Sequence, residues 1–159
     1  MQAAAERVGQ AGADVLVRVN QPLRLAVRDV EAAVAGFAEV LGLAPTEPIL
    51  FPPQPMPFPF PPGLWDPDSK VRVATLQLAN IGLELIEPVG GPNPWTDTLD
   101  KQRGNAIQHL SVGRGEMDRA SWLRIGQEKG AKWTNGGPDG ELGGFAYLDF
   151  TETLGLIFE

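Results

Sequence analysis

The sequence predicts an α+β fold made of two βαβββ modules, and three observations predict it. The order strand, helix, three strands occurs twice, from about residue 23 to 89 and from about 107 to 159, although the halves share few identities. An amphipathic, capped helical stretch follows the opening strand of the first half, and a stretch of helical composition follows that of the second. Each half closes on an apolar run interrupted by acid, Leu83-Glu84-Leu85-Ile86-Glu87 and Gly155-Leu156-Ile157-Phe158-Glu159. A carboxylate buried in such a run needs a partner.

Residues 1–19 read as an N-terminal extension to a domain over 20–159, with module one at 20–89 and module two at 107–159. Val15–Val19 and Leu23–Val27 are β-rich and are separated by Asn20-Gln21-Pro22, where the proline breaks ladder pairing. Asp29 caps a helix over 30–41, because Val30, Ala33, Val34, Phe37, Val40 and Leu41 recur at helical spacing and Gly42 supplies a left-handed stop. Residues 45–67 hold ten of the fifteen prolines among Phe51, Phe58, Phe60 and Trp65, which suits a stiff extended loop better than a central strand. Such a loop either packs on its own aromatics or covers a site or a dimer contact.

Lys70–Ala79 and Leu83–Val89 are strands joined by the hairpin signal Asn80-Ile81-Gly82, and Gly90–Asn105 is a connection with one helical turn at Thr98–Gln102. The second module opens at Gly104–Val112, which carries the only histidine. Ile107, His109 and Ser111 alternate there with Gln108, Leu110 and Val112, a period of two that sends His109 to one face of a sheet. Glu116–Lys129 is helical in composition and ends at Gly130. Lys132–Thr134, Phe145–Asp149 and Leu156–Glu159 are short strands, with a glycine-rich loop at 135–144.

Composition narrows the function. With 159 residues, 43% of them hydrophobic, the chain can bury one core or two small halves sharing one. No run approaches the roughly 18 apolar residues of a membrane helix. The net charge of -7 and the lack of a Lys/Arg cluster argue against nucleic acid, although Arg24, Lys70, Arg72 or Lys101 could contact an anionic substrate locally. The lack of cysteine removes disulfides, thiolate nucleophiles and cysteine-based zinc sites, and a cytoplasmic location is the default expectation.

At this point the chain resembles the vicinal oxygen chelate superfamily of glyoxalases, methylmalonyl-CoA epimerases, extradiol dioxygenases and bleomycin-resistance proteins. The resemblance rests on Leu25-Ala26-Val27-Arg28-Asp29-Val30-Glu31-Ala32-Ala33 with Leu41-Gly42-Leu43, on Gly82-Leu83-Glu84-Leu85-Ile86-Glu87-Pro88, on Ile107-Gln108-His109-Leu110, and on Leu154-Gly155-Leu156-Ile157-Phe158-Glu159. It covers about residues 20–159 and is nearest in motif to the epimerase branch. It implies a curved, half-open mixed sheet with helices on the convex side, a site in the concavity and a homodimer.

The resemblance also implies a divalent metal ion (Mn, Co, Ni, Zn or Mg) held by Glu84, His109 and Glu159. The first-strand histidine usual in that set is replaced by Pro22, with Gln21 one residue away as a possible fourth ligand. The activity implied is that of an isomerase, epimerase or lyase acting on a carbonyl substrate through a metal-bound enolate. Asp68, which sits where the epimerases place a proton-abstracting acid, or Glu84 would serve as the base. The competing expectation is a metal-free protein of the same fold that binds or sequesters a small carbonyl or aromatic molecule. In that case two neighbouring acids without a metal must find other hydrogen-bonding partners.

Overall fold

A computed structural model describes residues 22–51, 69–90, 93–112, 118–136 and 146–159. The expected strand at Val15–Val19, the N-terminal extension, Gln21, Asp68 and most of the proline-rich loop lie outside those residues. The described elements, in order, are β1 (Leu23–Ala26), α1 (Val30–Leu41), β2 (Ile49–Phe51), β3 (Lys70–Gln77), β4 (Gly82–Val89), α2 (Pro94–Gln102), β5 (Ala106–Leu110), α3 (Arg119–Glu128), β6 (Lys132–Gly136), β7 (Ala146–Phe150), α4 (Thr151–Leu154) and β8 (Leu156–Phe158).

The strands form one mixed sheet in the order β2-β3-β4-β1-β5-β8-β7-β6. That order is nearly a mirror of itself about the central pair. β1 runs parallel to β4 and β5 runs parallel to β8, while β1 and β5 meet antiparallel. The opening strand of each module therefore lies beside its own closing strand, and the two opening strands join the modules. The expected α+β architecture of paired βαβββ modules is what the chain adopts.

Each module's first helix starts at an aspartate. The Asp29 side chain accepts from Ala32 N, and Gly42 at φ 67 closes the helix with its N–H on Ala38 O. Asp118 caps α3 at Ser121 N, two residues beyond the Glu116 start read from the sequence. On one face of the sheet Val30 and Val34 of α1 pack against Ala74, Leu76, Leu83 and Leu85. On the other face Trp95 and Leu99 of α2 pack against Ala26, Val71, Ile86 and Tyr147.

Helix α2 is longer than the single turn expected. Asn93 accepts from both Trp95 N and Thr96 N and Pro94 occupies the first turn, a start signal present in the sequence that the surrounding glycines and prolines obscured. Asn93 is itself buried and donates to Ser69 Oγ at 3.1 Å, which ties the helix start to the residue before β3. A second departure lies in β5. Arg24 pairs with His109 but Leu25 pairs with Ile107, so Gln108 is an extra residue in the ladder, a β-bulge. The strict alternation expected there fails: Gln108 and His109 are both buried, and Ile107 is 51% exposed.

Candidate functional site

The alternation along β1 decides which side chain enters the site. Leu23, Leu25 and Val27 pack with the α1 core, so Arg24 and Ala26 face the other way, toward Trp95 and Tyr147. Arg24 stands opposite Glu84 of β4 on one side and opposite His109 of β5 on the other. Glu159 follows β8 and is held in the ladder by its N–H on Leu110 O at 3.0 Å and by Val112 N on its carbonyl at 2.8 Å. Four strands thus bring Arg24, Glu84, His109 and Glu159 to one place.

Arg24 is the hub. Its Nε donates to Glu84 Oε2 at 3.0 Å, and its Nη1 donates to Glu159 Oε2. The same Glu159 oxygen accepts from Ser111 Oγ. His109 is wholly buried, with Nδ1 against Gln108 Oε1 and Nε2 3.5 Å from Glu159 Oε2. Nε2 is buried facing the Glu159 carboxylate and makes no hydrogen bond of ordinary geometry among the described residues. The Tyr147 ring lies over this imidazole, centroids 4.6 Å apart at 57°.

The groups titrate according to these contacts. Burial pushes Glu84 above the usual carboxylate value; Arg24 opposes that shift and the Glu159 charge adds to it. Glu159 is buried too, but the neighbouring His109, the Arg24 charge and the Ser111 hydroxyl outweigh desolvation and hold it below 4.5. Burial pulls His109 below 6.5 despite the Glu159 charge, so the imidazole is neutral at pH 7. Tyr147 is pushed well above 10.0 by burial and by Glu159, so it remains a phenol.

A divalent ion must be tested against this arrangement. An imidazole lone pair and two carboxylates suit one chemically. The carboxylate oxygens that would bind it are instead bonded to the Arg24 guanidinium, and a cation of either kind excludes the other from the same oxygens. Among the described residues no group of three or more His, Cys, Asp or Glu is set to hold an ion. As arranged, these residues do not fit a metal, and the fourth ligand expected from the sequence, Gln21, is outside the described residues together with Asp68. Glu87, the other acid of the β4 run, is used structurally: it accepts from Arg72 at 3.2 Å and from Val30 N at 3.2 Å.

Beside the cluster, α2 and the second module border a half-open cavity of about 430 Å³ lined by Thr98, Lys101, Gln108, Thr134, Asp149 and Ile157 among others. Its volume is in the range of small-molecule sites. Gln108 joins the two regions, since it lines the cavity and contacts the His109 ring. Sequence reasoning placed Glu84, His109 and Glu159 as candidates but counted Arg24 only as one of several possible anion contacts. The available signal was its position between Leu23 and Leu25, which turns it away from the α1 core. Nothing local announced Gln108, because its inward turn comes from the bulge.

Comparisons agree with this architecture. The chain resembles a methylmalonyl-CoA epimerase from Mycobacterium tuberculosis, with a TM-score of 0.61 at 18% identity, over 95% of this chain and 91% of the other. A Streptomyces coelicolor methylmalonyl-CoA epimerase in complex with 2-nitronate-propionyl-CoA aligns with a TM-score of 0.59 at 20% identity, over 90% and 94%. A hypothetical protein from Bacillus halodurans C-125 aligns with a TM-score of 0.59 at 19% identity, over 90% and 91%. At these identities the likeness concerns the fold alone. No curated protein matches significantly. The family profile for the Glyoxalase/Bleomycin resistance protein/Dioxygenase superfamily matches residues 23–147, and with that match over most of its length the chain belongs to this superfamily.

Proposed function

We propose that this chain binds a small polar, carbonyl-bearing molecule in the cavity beside α2 without a resident metal ion, with Gln108 linking that cavity to the Arg24 cluster. The observation that carries this reading is that Arg24 bonds both Glu84 and Glu159. A guanidinium facing two carboxylates has no positive charge to spare, so an enolate developing there would add a further negative charge to the cluster. The cavity favours binding: Thr98, Lys101 and Gln108 offer donors to a carbonyl oxygen, and Ile107 and Ile157 offer apolar contact. Its mixed lining suits a small carbonyl compound better than a purely aromatic one.

A metal-dependent isomerase or epimerase is the second reading, and the convergence of Glu84, His109 and Glu159 favours it. That reading requires Arg24 to leave its carboxylates. Calorimetric titration of a panel of small carbonyl compounds, acyl-CoAs and aromatics, before and after chelator treatment, separates the two. The binding reading expects saturable affinity for a carbonyl compound, unchanged by chelator and weakened by Gln108→Ala or Lys101→Ala. Turnover of a carbonyl substrate that chelator abolishes and added metal restores would establish the isomerase instead.

A further inference from the structure

We infer that the cavity beside α2 takes a small molecule carrying a protonated amine a few bonds from its carbonyl, Asp149 receiving the ammonium and Gln108 with Thr134 holding the carbonyl. This rests on the reading of the cavity as a carbonyl-binding site and narrows its ligand class. Two β-bulges supply the polar floor. In β5 Gln108 is the extra residue of the ladder; in β6 Trp133 pairs with Leu148 and Asn135 with Tyr147, so Thr134 is a second extra residue. Both bulged residues line the same cavity. Gln108 is 4% exposed, and one end of its amide meets the His109 ring while the other makes no hydrogen bond among the described residues. The Thr134 hydroxyl is buried, also without a hydrogen-bond partner among the described residues. Leaving such groups unsatisfied costs free energy, and amide and hydroxyl groups are the donors that a carbonyl oxygen needs.

Charge specifies the rest of the ligand. The charged side chains lining the cavity are Asp97, Lys101 and Asp149, and two carboxylates with one ammonium leave a single negative charge uncompensated. Asp97 and Lys101 are exposed and one turn apart on α2, whereas Asp149 is half-buried on β7. One Asp149 oxygen accepts from Thr151 N at 2.8 Å and from Thr151 Oγ1 at 2.6 Å; the other makes no hydrogen bond among the described residues. Lys132 stands opposite Asp149 in the ladder, but its ammonium bonds Glu152 at 3.1 Å, so no ion pair neutralises Asp149 among the described residues. A half-buried carboxylate attracts a cation more strongly than an exposed one, because less water screens it.

The test uses the full chain at pH 7 and pairs of amides that differ only in ammonium against methyl: glycinamide with propanamide, β-alaninamide with butanamide, and 4-aminobutanamide with pentanamide. Each is titrated while the backbone N–H resonances of Thr134 and Asp149 report binding at the cavity. The expected result is that the amine of at least one pair binds about 10-fold or more tighter than its neutral partner. Asp149→Asn, which keeps the acceptor that Thr151 uses, should abolish that preference, and Thr134→Val should weaken both members alike. The proposal is overturned if the neutral amides bind as tightly as the amines, if the preference survives Asp149→Asn, or if Thr134→Val leaves binding unchanged. Should Asp149→Asn fail to fold, the wild-type Asp149 carboxyl-carbon resonance decides: moved by the amine and not by its neutral partner it supports the proposal, unmoved by both it refutes it. Equal binding of both members leaves the carbonyl-binding reading standing and removes only this inference; binding of neither removes both.

Discussion

Arg24→Met tests the electrostatics of the cluster through stability. Methionine retains an apolar stem of similar reach and removes the cation. A unit pair at 4 Å attracts by about 4 kcal/mol at an effective dielectric of about 20, but that figure is not the loss to expect, because burying the ions already costs several kcal/mol each. The loss comes from what the substitution leaves behind: Glu84 and Glu159, with side chains only 21% and 15% exposed, facing each other without a cation. Breaking a buried pair typically costs about 3–5 kcal/mol. Residual solvent access screens part of that, so about 2–3 kcal/mol is the expected loss. Urea denaturation at pH 7, followed by tryptophan fluorescence, measures it. Combining Arg24→Met with Glu84→Gln should recover much of the loss, and acidification toward pH 4.5 should shrink the deficit as the carboxylates take up protons. A loss below about 0.5 kcal/mol, the value of an ordinary surface pair, would refute the description of Arg24 as the hub.

Two further outcomes follow from the burial of His109 and Leu148. His109 is the only histidine, so its ring C–H resonance can be followed without assignment, and it should titrate below 6.5. Between 6.5 and that lowered value the unfolded chain binds a proton that the folded chain refuses, so stability falls as pH drops through the interval and is constant above it; His109→Asn should flatten this part of the profile, and titration at or above 6.5 would contradict the burial argument. Gly126→Ala in α3 places a methyl 2.3 Å from Leu148 Cδ1 and 3.2 Å from its Cγ, and Leu148 is wholly buried. The gain in helix propensity, up to about 1 kcal/mol, is set against overpacking of about 1–3 kcal/mol. Urea midpoints should show a net loss of about 1 kcal/mol, and any stabilisation would mean that Leu148 has space to move.

Much of the architecture was legible in the residues themselves. Helix α1 could be read to its ends because Asp29, the spacing from Val30 to Leu41 and Gly42 are local signals, each acting within one turn. The repeat of element order foretold two βαβββ modules. Glu84, His109 and Glu159 stood out because carboxylates in apolar runs and a lone histidine in a strand need partners. What those partners are was decided only by the tertiary structure. Whether Arg24 meets one acid, two or none depends on β1 lying between β4 and β5, with strands 60 and 135 residues away in sequence supplying the carboxylates. The β5 bulge likewise arises from pairing β5 with β1, and it turns Gln108 inward against the local alternation. Periodicity tells which way a side chain points relative to its own strand; which charge stands opposite is fixed by register between strands, a non-local property that no stretch of sequence contains.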